Sequence, residues 1–106
     1  MLRRSESLPD PYEEMERIIG NLVECYAIPH ARMCMRWTKP TKKAFREEIV
    51  GWLEDYGKSF RRLVDKGAQG KEDLAVFARR KLDAEIARIV RGDHPAVERT
   101  HADIFG

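Results

Sequence analysis

Residues 42–66 read KKAFREEIVGWLEDYGKSFRRLVDK. Apolar side chains recur at Phe45, Ile49, Trp52, Leu53, Tyr56, Phe60, Leu63 and Val64, in steps mostly of three and four. That spacing lines them along one side of a helix, so the stretch predicts one long amphipathic rod. Thr41 stands before it as an N-cap. Lys39-Pro40 closes whatever precedes it, because a residue ahead of proline avoids helical geometry. Gly67 is the expected stop and Gly70 opens the following turn. At 1.5 Å per residue this rod is about 37 Å long, which is long for a single small domain.

The same period recurs on either side. Asp10-Pro11 is a helix start, with aspartate as the cap and proline at the first helical position. Glu13, Glu14 and Glu16 follow, where the helix dipole favours negative charge. Tyr12, Met15, Ile18, Ile19, Leu22, Val23 and Tyr26 then form a stripe, with Gly20 a small cost within it. Pro29 ends that helix or starts the next. A short helix is expected over His30 to Trp37, with His30, Met33, Cys34 and Trp37 as its apolar face and Arg32, Arg36 and Lys39 on the other. After the long rod, a helix from about Lys71 to Arg91 carries Leu74, Phe77, Ala78, Leu82, Ile86, Ile89 and Val90, and Gly92 ends it. Asp93, His94 and Pro95 open a last short helix through Thr100 to Ile104.

No segment alternates with period two over strand length, and no repeat is present. The expected fold is all-α: a small bundle of four to five amphipathic helices. Residues 1–9 read as a flexible arm and residues 10–106 as a single helical domain. The core is thin for 106 residues. A homodimer is therefore a candidate way to cover an aromatic stripe that outruns its partners within the chain.

Charged residues make up 36% of the chain, above the usual share of about 25%. The net charge is only +2, so any electrostatic case rests on how charge is distributed. Two cysteines, Cys25 and Cys34, make no disulfide framework. No apolar run follows Arg3 and Arg4, and none reaches the roughly 18 residues of a membrane span. The expectation is a reducing, cytoplasmic location and no membrane partner.

The most informative stretch runs from Cys25 to Arg46. It holds Arg32, Arg36, Lys39, Lys42, Lys43 and Arg46 and no acidic residue. Lys42, Lys43 and Arg46 occupy the first turns of the long helix, against its dipole but well placed for an anion. Trp37 lies among these bases, where an aromatic can stack on a nucleobase. The leading expectation is a non-enzymatic binding protein, regulatory or accessory, that contacts a nucleic acid or nucleoprotein through these seven residues. The bland account is a solvated basic face with Trp37 packed inside beside Met33. The alternative function is a protein–protein adaptor or inhibitor that binds through an apolar helix face, with Trp52, Tyr56 and Phe60, or Ile104 and Phe105, as its contacts.

Other chemistry is poorly supported. Cys25, His30 and Cys34 match no zinc spacing and would need distant His94 or His101 as a fourth ligand. Glu13 with Glu14, Glu47 with Glu48, and Glu54 with Asp55 are sequence neighbours, which diverge by about 100° on a helix. Ser59 has no partner for nucleophilic work, and no glycine-rich phosphate loop is present. No enzyme activity, metal or cofactor is expected. Arg61, Arg62, Arg79, Arg80 and Lys81 stand within helical reach of Asp65, Asp83 and Glu85, and are expected to be partly paired.

Overall fold

A computed structural model describes residues 10–68 and 72–106, leaving out the side chains of residues 63–65, 67 and 68. The expected arm over residues 1–9, the turn at Gly70 and the side chains of Leu63, Val64 and Asp65 lie outside the described residues. Every described element is helical. The elements are α1 (Pro11–Asn21), a π-helical segment (Leu22–Ala27), α2 (Ile28–Met35), α3 (Lys42–Ala68), α4 (Glu72–Arg91) and α5 (Pro95–Phe105). The first three run on without leaving right-handed helical geometry, so the described residues make four rods.

The capping residues act as their chemistry dictates. Asp10 is extended, and its Oδ1 accepts the Tyr12 N–H at 2.8 Å. Thr41 Oγ1 accepts the Ala44 N–H at 3.1 Å at the start of α3. In α1, Arg17 hydrogen-bonds the Glu14 carboxylate and holds it below the usual carboxylate range. Both side chains are exposed, so this pair adds little stability.

Contrary to expectation, Pro29 does not interrupt the first rod. Proline has no N–H and crowds the carbonyl four residues back. Just before it the helix widens, and the Ile28 N–H reaches back five residues to the Val23 carbonyl. Such a wide turn absorbs one residue more than a regular turn. It also moves the buried stripe along by one position. Met15, Ile19, Leu22 and Val23 are buried as expected, but Ala27 is buried in place of Tyr26, which is 55% exposed. Further on, Ala31 is buried, His30 and Met35 are half-buried, and Cys34, expected on the apolar face, is exposed. Met33 and Trp37 are consequently 70% and 83% exposed. α2 ends at Met35, two residues earlier than expected, with Thr38 donating to the Met35 carbonyl from both N–H and hydroxyl.

α3 and α4 form a helical hairpin, and the first rod lies across it, with α1 against α4 and the π segment and α2 against α3. Tyr12 meets Phe77 edge-on with centroids 5.0 Å apart, and Lys81 pairs with Glu16 at 3.4 Å. Ile19, Val23, Phe45, Ile49, Leu53, Ile89 and Val97 are fully buried between them. α5 closes one end against α3.

The turn into α5 depends on glycine at one position. Gly92 has φ +84°, a left-handed conformation that costs other residues about 1–2 kcal/mol. Its N–H and that of Asp93 both donate to the Arg88 carbonyl, closing α4. A Cβ at Gly92 would also stand 3.0 Å from Arg46 Nη1, so the missing side chain makes room for that guanidinium.

Candidate nucleic-acid interface

The basic residues gather where the first rod ends and α3 begins. Arg32 lies on the exposed side of α2 and Arg36 at its end. Lys39 is in the connecting turn, and Lys42 and Lys43 occupy the first turn of α3. All five are exposed and none forms an ion pair with another described residue. Trp37 projects from the same turn. The Arg36 guanidinium lies over its ring at 4.6 Å from the centroid, a cation–π contact that holds one face of the indole. The placement of Trp37 inside beside Met33 is therefore corrected: both face solvent.

Arg46 stands apart from the group. It is half-buried, and its Nη1 donates to both Glu98 carboxylate oxygens at 3.3 and 3.2 Å. It braces α5 to α3 rather than extending the exposed set. His101 adds a second brace: its Nε2 donates to the Pro40 carbonyl at 2.9 Å and so fixes the turn behind Trp37. Its Nδ1 is buried without a partner among the described residues. Phe105 packs on Phe45 and His101, with centroids 5.5 and 5.1 Å away. Neither Glu98 nor His101 entered the sequence reading of the site. Each lies more than 50 positions from the residue it holds, beyond the reach of any local pattern.

The other expected site residues are dispersed. Phe60 is 8% exposed and belongs to the core. Trp52 and Tyr56 are half-buried: His30 stacks on Trp52 at 3.8 Å and Tyr26 on Tyr56 at 6.2 Å. The Trp52 indole N–H is buried without an acceptor among the described residues. Ile104 is exposed, and Phe105 is half-buried in the aromatic cluster. Arg61 and Arg79 line the outer flank of the α3–α4 hairpin. Arg61 lies nineteen residues, about 28 Å, along α3 from Lys42, so these arginines do not extend the tip. Cys34 Sγ sits 3.4 Å from His30 Nε2, and Cys25 is exposed. Among the described residues no three His, Cys, Asp or Glu side chains are placed to hold a metal. No described helix is long and apolar enough to cross a membrane.

The fold and this tip make a small all-helical domain that presents an arginine-stacked indole among bases that pair with no other described residue. Compared with protein-family models, with curated proteins and with solved structures, the chain matches none.

Proposed function

We propose that the protein is a small, non-enzymatic nucleic-acid-binding domain, regulatory or accessory, that grips phosphates through Arg32, Arg36, Lys39, Lys42 and Lys43 and stacks an unpaired base on Trp37. The observation that carries this reading is the exposure of Trp37, stacked by Arg36, in a segment whose five exposed cations form no ion pair with another described residue. A tryptophan held outside costs hydrophobic burial of about 1.5–3 kcal/mol or more, which a ligand's π-face restores on binding. One indole face is taken by Arg36, and the other is open to a base. The free N–H groups at the start of α3 add partial positive charge beside Lys42 and Lys43. The reading entails a cytoplasmic location, where nucleic acid is met.

Binding of a fluorescein-labelled single-stranded oligonucleotide, followed by anisotropy across a salt series, tests the proposal. Five phosphate contacts give a slope of log K against log salt near −3.5 on a single strand and about −4.5 on a duplex. Between 50 and 200 mM salt the affinity is then expected to fall about a hundredfold or more. An affinity indifferent to salt, or no binding at 50 mM, overturns it. The alternative, an adaptor for a protein partner, draws on the exposed Tyr26 and Ile104. It loses Phe60, which lies in the core.

A further inference from the structure

The outer flank of the α3–α4 hairpin, turned away from the first rod, is an open groove of about 370 Å³. Its floor is apolar, with Leu53, Phe60, Leu82 and Ile86, and Gly57 faces the Leu82 side chain across the hairpin. Val76 and Val90 continue the α4 side of this face and are 48% and 63% exposed. The chain is drawn out to match: its radius of gyration is 15.9 Å, against about 13 Å for a compact domain of this length.

The lips of the groove are charged in a definite order. Glu54 and Asp83 mark one end, and Arg61 and Arg79 the other. Glu54, Lys58, Arg79 and Asp83 form no ion pair with another described residue. Two copies placed face to face can be related by a two-fold axis along the helices or across them. An axis along the helices sets acidic end on acidic end. An axis across them sets Glu54 of each copy against Arg61 of the other, and Asp83 against Arg79. The midpoint between Glu54 and Arg61 falls between Gly57 and Lys58, so Gly57 and the Lys58 of each copy lie beside that axis.

We infer that this groove is the seat of a second copy of the chain, packed α3 on antiparallel α3 and α4 on antiparallel α4 in a two-fold dimer. The acidic and basic ends of the groove are complementary in that arrangement and not about the other axis, with the two Lys58 side chains left beside the two-fold, and this pairing of the ends is why a second copy is its occupant. This assignment is independent of what the Trp37 tip binds.

Sedimentation equilibrium on the full chain, with helicity checked by circular dichroism, tests it. The wild type is expected to be a dimer at tens of micromolar. Asp83→Arg alone and Arg79→Glu alone each place like charges together twice per dimer. Each is expected to raise the dimer dissociation constant by roughly a hundredfold or more. Mixing the two variants in equal amounts restores dimers. The introduced arginine of one chain then meets the introduced glutamate of the other, and the Arg79 and Asp83 left unchanged pair as in the wild type. A monomeric wild type overturns the inference and leaves the groove to another partner. Singly substituted chains that dimerise as tightly as wild type, or a mixture that stays monomeric, overturn it equally.

Discussion

Phe45→Ala is expected to destabilise the protein by about 3–5 kcal/mol, read as a lower midpoint in urea with an unchanged slope. Phe45 is fully buried and among the largest core side chains. It touches both aromatic members of α5, His101 and Phe105, each with centroids 5.5 Å away. Truncation removes its burial energy and leaves a cavity between α3 and α5, which α5, held by the Arg46–Glu98 and His101–Pro40 contacts, cannot readily collapse into. A loss of this size is a large part of the 5–15 kcal/mol typical of a whole domain. A change below about 1 kcal/mol would mean that α5 does not pack on α3 in solution.

Lys42→Glu with Lys43→Glu is expected to lower oligonucleotide affinity by at least about a hundredfold at 50 mM salt and to flatten the salt slope by about two. Both lysines are exposed on the first turn of α3. Glutamate there suits the helix dipole better than lysine, so stability is expected to hold or rise slightly. The loss of binding is then separable from loss of fold. Trp37→Ala gives the complementary result: a stacked base is worth about 1–3 kcal/mol and carries no charge, so affinity falls while the salt slope stays. If the double glutamate variant binds as tightly as wild type, the cationic tip is only a solvated face.

Much of the fold is legible in the sequence because its long helices are regular. The stripe of α3 reads correctly from Phe45 to Phe60, and Asp10 and Thr41 cap where their side-chain oxygens allow. The reading of α2 fails for one reason. It takes His30 to Trp37 as a separate short helix with its own apolar face, while the chain runs on through the wide turn over Leu22–Ala27, which takes up an extra residue. Tyr26 therefore yields its place to Ala27, and Trp37 is turned out instead of in. Pro29 is the visible signal, but proline alone does not say whether a helix breaks or widens. The tip is legible as composition: a stretch free of acids is plain in one dimension. The loss of Arg46 from it is not, because Glu98 arrives 52 positions later from a helix whose docking no local pattern fixes.

The braces behind the tip also set an order on how the molecule is completed. Glu98, His101 and Phe105 hold Arg46, Pro40 and Phe45, and all three holders lie in α5. A chain emerging from the ribosome at about 5–20 residues per second has made the whole cationic turn long before it makes these fasteners. The α3–α4 hairpin and the rod across it have time to associate first, with the turn around Pro40 still unpinned. The turn that carries Trp37 is thus pinned only once the last helix has been made.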